Sequence, residues 1–365
     1  MATAETIPLA ELLAPIPGNL PAGDSLRADT TAGSLYYKIK DARAAARAAE
    51  RAAFQLGELE AAGQADWAPV MELAPRILRE RAKDLEICAW YIEALVRRKG
   101  FAGLRDGFKL ARGLIDAYWD TLHPMPDEDG MATRMAPLTG LNGDDSEGIL
   151  IVPIGLVPLT ERTEHGEFST WHYQQSGELA KLLDAAQREQ RLTAGAVPLE
   201  RIVAAISSTS ADFLRKQSED LAQCRAEFGL LSQALDAKAK TDAPPTSSIA
   251  AALDRATDAL NFLARGVLAS PADGAAAAPA GAGGPAAPAR AGGPVQTRDE
   301  ALRALAQIAE FFRRTEPHSP VPYGIERAVR WAGLPLPTLI EELIPDTSAR
   351  SDFHKLTGIQ PPPSS

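Results

Sequence analysis

Cysteine is nearly absent: there are two, Cys88 and Cys224, in 365 residues. Both fall among apolar residues at helical spacing, so they read as separate buried thiols in a reducing compartment, which excludes a disulfide framework and a thiolate metal site. The five histidines, at 123, 165, 172, 318 and 354, never place two on one helical face, so no metal-ligating pair is expected. Long hydrophobic runs are missing. The most apolar stretch, Gly148 to Leu159, spans about 12 residues and carries Pro153 and Pro158, against the roughly 20 that cross a bilayer. The opening segment MATAETIPLAELLAPIPGNL lacks a basic flank and is broken by Pro8, Pro15 and Pro17, so it does not read as a secretory signal. Basic charge is in deficit, 38 Lys and Arg against 48 Asp and Glu, for a net charge of −10. Nucleic-acid binding and direct membrane insertion are therefore not expected, and the cytoplasm is the expected compartment.

Catalytic signatures are missing as well. There is no phosphate loop, no H-E-x-x-H pair and no G-x-S-x-G elbow. In GDDSEG, Gly143–Gly148, Ser146 stands one residue too far from its leading glycine. The acidic turn Asp127, Glu128, Asp129 lacks the alternating ligands of a calcium loop. No cofactor or metal is expected. An enzymatic alternative, a hydrolase or metal-dependent enzyme, rests on His318 with Glu316, and Ser319 is also within reach by sequence. Against it stands a histidine that caps the next helix or pairs across an interface.

What is present is helix. From about Thr30 to Gly63 the chain is Ala-rich, with Arg43, Arg47 and Arg51 at i,i+4 spacing, which reads as a solvated face rather than the alternative, an anion site, because nothing else converges there. Asp66 is placed to cap a helix at Trp67. Asp84 opens another, with Leu85, Cys88, Ile92 and Leu95 on its apolar face, which Gly100 stops. The next segment carries Phe101, Leu104, Phe108, Ile115, Trp119 and Leu122. Antiparallel helices with short connections follow. From Val157 to Tyr173 periodicity weakens to an irregular loop or a short hairpin, and helix returns near Glu178. Leu214, Leu221, Phe228 and Leu235 then recur every seven residues, and Ile249, Leu253, Ala256, Leu260, Leu263 and Val267 alternate steps of four and three. An internal antiparallel hairpin and a coiled coil between chains both satisfy these seams.

Residues Ser270 to Gln296 are almost wholly Ala, Gly and Pro and read as a flexible tether of about 27 residues, spanning roughly 30 Å. Beyond it, Thr297 and Glu300 form a capping box for an amphipathic helix with Leu302, Leu305, Ala309 and Phe312 on one stripe. An elbow follows, built from Glu316, Pro317, His318, Ser319, Pro320 and Pro322. Phe312, Ile325, Arg327 and Trp331 are candidate contacts between subunits, because about 70 residues stabilise a lone core poorly and self-association is a common remedy.

The stretch LLAPIPGNLPAGDSLR, Leu12–Arg27, and the region Asp66–Gly143 resemble the ImpA N-terminal domain, which marks the TssA family of bacterial type VI secretion systems. The resemblance rests on KDLEICAW with Lys83, Asp84 and Leu85, the glycines of GFAGLRDG (Gly100, Gly103, Gly107), WDTLHP with Trp119, and DEDG. The segment RDEALRALAQIAEFFRRTEPHSPVPYGIERAVRW is similar to the C-terminal region of short members, apart from Gly324, where a bulky apolar residue is usual. The layout implied is an ImpA-type helical domain at 1–145, a connector at 146–176, a helical middle domain at 177–269, a linker at 270–296 and an oligomerisation module at 297–365. The expected fold class is all-α. The resemblance implies a non-enzymatic cytoplasmic scaffold at the inner face of the envelope that forms ring-like homo-oligomers and supports baseplate and tail assembly. Implied partners are baseplate subunits of the TssK and TssF types, the Hcp tube, the VgrG spike and the sheath.

Overall fold

Side-chain caps and glycines set the ends of the helices. The computed structural model describes residues 2–31, 33–57, 63, 65–128, 130–268, 298–315, 320–332, 334, 336–344 and 346–350. Among them β-structure is limited to isolated bridges, and the fold is all-α. Helix α1 covers Leu9–Leu13, α2 Leu35–Gln55 and α3 Ala68–Glu80. Ser34 caps α2 by accepting from the Tyr37 amide, and Asp66 accepts from Ala68 N at the head of α3 at 3.0 Å. Each carboxylate or hydroxyl satisfies an amide that has no partner within its helix.

The longest helical segment, α4, runs Leu85–Tyr118 and is two arms rather than one rod. Its start is fixed by Asp84, which accepts from the amides of Glu86 and Ile87. At Gly100 the backbone turns to φ 58°, ψ −143°, a region that glycine enters without steric cost. The chain then folds back. A methyl group at Gly103 would stand 2.7 Å from Leu95 O, and one at Gly107 2.8 Å from Ile92 Cγ1. Residues fifteen apart on a straight helix are about 22 Å apart, so these contacts require an antiparallel hairpin of arms 85–99 and 101–118. The glycines of GFAGLRDG therefore have distinct tasks: Gly100 makes the bend, and Gly103 and Gly107 let the arms approach.

Helices α5 (Met131–Asn142), α6 (Ile151–Leu156), α7 (Thr170–Lys181), α8 (Ala185–Thr193), α9 (Leu199–Ser208), α10 (Ala211–Ala239), α11 (Ser247–Leu263) and α12 (Arg265–Leu268) complete the larger unit. Helix α7 begins earlier than the sequence periodicity suggests, because Ser169 and His172 close a reciprocal capping box at its start. The heptad seam of α10, with Leu214, Leu221, Phe228 and Leu235 buried, packs on α4 and α11 of the same chain. Phe108 and Phe228 meet at 4.8 Å between ring centroids. The first turn of α11 is capped from far away: Asn142, at the end of α5, accepts from Ile249 N at 2.9 Å. One hydrophobic core runs from Ile7 through α4 to Ala264.

The chain divides into two units, Met1–Ala275 and Ala276–Ser365. In the second, α13 (Arg298–Thr315) packs on α14 (Val321–Ala332), and α15 (Leu336–Leu343) follows. Pro320 and Pro322 flank the α14 start, where a missing amide hydrogen costs nothing.

Candidate interaction surfaces and the buried motif

The motif residues Lys83, Asp84 and Leu85 are buried at a junction of three segments. Lys83 N donates to Ala22 O at 2.8 Å, His123 N donates to Lys83 O at 2.9 Å, and Leu85 N donates to His123 O at 2.7 Å. The Lys83 side chain donates to Leu12 O and Leu78 O, each at 2.7 Å, with its ammonium 5.7 Å from the Tyr118 ring centre. Burial pulls its pKa from 10.5 down to about 8. Asp84 adds to its capping bonds an ion pair with Arg27 at 3.0 Å. Trp119 closes the junction half-buried: its carbonyl accepts from Arg134 at 2.7 Å, and that guanidinium lies 5.3 Å from the indole ring centre. Every one of these groups is spent on holding the Pro/Gly-rich lead-in and the 119–124 loop against α4. The junction is a structural lock.

A second polar cluster straps the N-terminus down. Arg105 donates to Asp106 at 2.7 Å, to Thr3 O at 2.9 Å and to Gln223 at 3.0 Å, while Thr3 N donates to Asp220 at 2.7 Å and Thr6 N to Asp106 at 2.6 Å. A cleft of about 440 Å³ opens beside it, lined by Thr3, Glu5, Arg105, Lys109, Glu227 and Leu230 among others. Its charges are paired internally, Lys109 with Glu5 at 2.8 Å and Arg112 with Glu227 at 2.5 Å.

Chemistry-bearing groups do not converge. Among the described residues no group of three or more His, Cys, Asp or Glu is placed to hold a metal. Burial raises the pKa of Cys88 and Cys224, which keeps both as thiols. Ser169 Oγ does lie 2.9 Å from His172 Nδ1, a pairing the sequence reading missed. Both side chains serve the α7 capping box, Ser169 is buried, and desolvation lowers the His172 pKa. Glu316, Pro317, His318 and Ser319 lie outside the described residues.

The arginine row of α2 differs from the solvated face expected from its spacing. Arg43 turns inward onto α4, donating to Glu93 at 2.7 Å with its guanidinium 5.4 Å from the Trp90 ring centre. Arg47 approaches the same carboxylate at 4.0 Å. Glu93 is fully buried, so it needs these cations, and a sequence window on α2 alone cannot show a charge fifty residues away.

In the smaller unit, Phe312 is half-buried and meets Phe311 edge-on at 5.7 Å. Pro322 is buried, Pro320 exposed, and Ile325 and Trp331 half-buried, with the Arg327 guanidinium 5.8 Å from the Trp331 ring centre. Arg313 pairs with Glu326 across α13 and α14. Leu305, Ile308 and Tyr323 are exposed.

Residues 13–143 match the family described as ImpA, N-terminal, type VI secretion system. The type VI secretion system component TssA1 of Pseudomonas aeruginosa is 29% identical over 358 residues, spanning 95% of this chain and 97% of that relative. The chain resembles TssA components along nearly its whole length and carries an ImpA N-terminal region. A solved structure of the N-terminal domain of the TssA component from Burkholderia cenocepacia, including the conserved ImpA_N region, superposes with a TM-score of 0.61 at 26% identity, covering 73% of this chain and 98% of that one. The ImpA N-terminal region thus contains the lock at Lys83–Leu85 and the glycine hairpin of α4. Its end at 143 coincides with Asn142, the remote cap of α11. Sequence reading missed that cap because its donor lies 107 positions downstream. No helix among the described residues is long and apolar enough to cross a membrane.

Proposed function

We propose that this protein is a TssA-type, non-enzymatic scaffold of the type VI secretion system, multimerised by its C-terminal unit and working on the cytoplasmic side of the envelope. One observation carries the self-association: in α13 and α14, Leu305, Ile308 and Tyr323 are 36%, 44% and 64% exposed, while Ala309 and Pro322 are buried. A unit this small gains little from its own core, and covering such side chains by further copies adds about 25 cal/mol per Å² of apolar area. The half-buried Phe312, Ile325 and Trp331 then support the helix pair that presents these residues. Ring-like assembly would hold many copies of the larger unit at high local concentration, so that weak contacts with baseplate subunits of the TssK and TssF types, the Hcp tube, the VgrG spike and the sheath act together. The similarity to TssA1 along nearly the whole chain supports the placement in the secretion apparatus. Light scattering on the full chain and on Leu305→Asp with Ile308→Asp tests the reading. The wild type is expected as a large particle and the variant as a much smaller one. An unchanged large particle moves the assembly contact elsewhere, and a monomeric wild type refutes the multimeric scaffold.

A further inference from the structure

Among the described residues, the basic side of α2 carries more positive charge than the neighbouring carboxylates pair. Among the described residues, Arg43 and Arg47 of α2 and Arg97 of α4 engage two carboxylates, Glu93 and Glu50. Glu50 is fully engaged: Arg97 donates to it at 2.5 and 2.9 Å, and Trp67 Nε1 at 2.8 Å. Arg43 takes Glu93 Oε1, which leaves Arg47 a single ionic contact at 4.0 Å to Oε2, an oxygen without a hydrogen bond. Arg51 is exposed, one turn further along the same face. Burial lowers the pKa of Arg47, and the neighbouring guanidinium groups of Arg43, Arg51 and Arg97 lower it further against the pull of Glu93.

We propose that the rim formed by Arg47 and Arg51 is a docking strip for an acidic helical segment of a partner protein, presenting two carboxylates one turn apart. Spacing selects this occupant. Guanidinium groups four residues apart on a helix match Asp or Glu side chains at i,i+4 on another helix, and each pair can be bidentate. Size and charge argue against a nucleic acid. Strong backbone binding engages about six to ten phosphates, while two guanidinium groups engage about two, on a molecule whose net charge of −10 repels polyanions. Within a screening length of about 8 Å the local cations prevail over that net charge, so a short acidic segment is attracted where a long polyanion is not.

The test is fluorescence anisotropy of a labelled helical peptide with glutamates at i,i+4, and of its glutamine counterpart, against the full-length protein at low and physiological ionic strength. The glutamate peptide should bind, weaken with salt, and outcompete the glutamine one. Arg47→Gln with Arg51→Gln should weaken it about tenfold, the effect of two surface ion pairs, one of them half-buried. The exposed pair Arg188→Gln with Arg191→Gln on α8 should change nothing. Arg51→Gln alone, at a position outside the core, should still lose about threefold and guards against misfolding of the double variant. Equal binding of the two peptides, no binding, or binding indifferent to the rim variants overturns the proposal. Tighter binding of a single-stranded oligonucleotide than of the peptide also overturns it, in favour of nucleic acid. Particle size by light scattering is expected to stay at the wild-type value throughout, so this result stands apart from the assembly reading.

Discussion

Adding one methyl group at Gly103 pits two effects of opposite sign. Alanine in place of glycine inside a helix gains about 1 kcal/mol of backbone propensity. At Gly103 the new Cβ would lie 2.5 Å from Lys99 Cβ and 2.7 Å from Leu95 O. Neither obstacle is the free end of a side chain, so relief requires the two arms of α4 to separate. Overpacking of this kind costs about 3 kcal/mol at its upper range, which leaves a net loss of about 2 kcal/mol. In a unit of this size that lowers the thermal midpoint by about 4–8 °C. Gly107→Ala meets Ile92 Cγ1 at 2.8 Å and Gly113→Ala meets Leu13 Cδ1 at 2.6 Å, both side-chain atoms that can rotate. For Gly113→Ala the propensity gain should offset the contact, giving a change near zero, with Gly107→Ala in between. Urea and thermal unfolding by circular dichroism rank the three variants. If Gly103→Ala matches or exceeds the wild type, the tight crossing of the arms is refuted.

Asn142→Ala removes the acceptor for the buried Ile249 amide and should cost about 1–3 kcal/mol, with faster hydrogen exchange in the first turn of α11; unchanged exchange there would show that the remote cap contributes nothing. The lowered pKa of Lys83 sets a pH signature. Below about pH 8 the amine is protonated in both states and contributes no slope, whereas between about 8 and 10.5 the unfolded chain binds more protons and stability rises with pH. Lys83→Met should abolish that rise in urea titrations, and a rise that persists would have to come from another group.

The elements legible in the sequence were those written in a few adjacent residues. Asp84 announced the start of α4 and Gly100 its break, and the heptads of α10 announced a buried seam. The helix facing that seam was hidden, because periodicity states that a stripe is buried and not what covers it. Part of that cover is the returning arm of α4, around Phe108. The same blindness applies to charge: Arg43 and Arg47 look solvated until Glu93 is brought beside them. The start of α7 escaped because its signal, Ser169 with His172, uses a histidine where glutamate or glutamine is usual. In the smaller unit Ala309 is buried as its amphipathic stripe predicts, whereas Leu305 on the same stripe is exposed.

The covering of α4 by α10 also orders events during synthesis. Phe108 leaves the ribosome about 120 residues before Phe228, a gap of roughly 6–24 s at bacterial elongation rates. For that interval the returning arm of α4 lacks the part of its cover that α10 supplies. Until the second half arrives to close it, that side can be covered only by the elements already made, α1, α3, α5 and α6, which pack on α4.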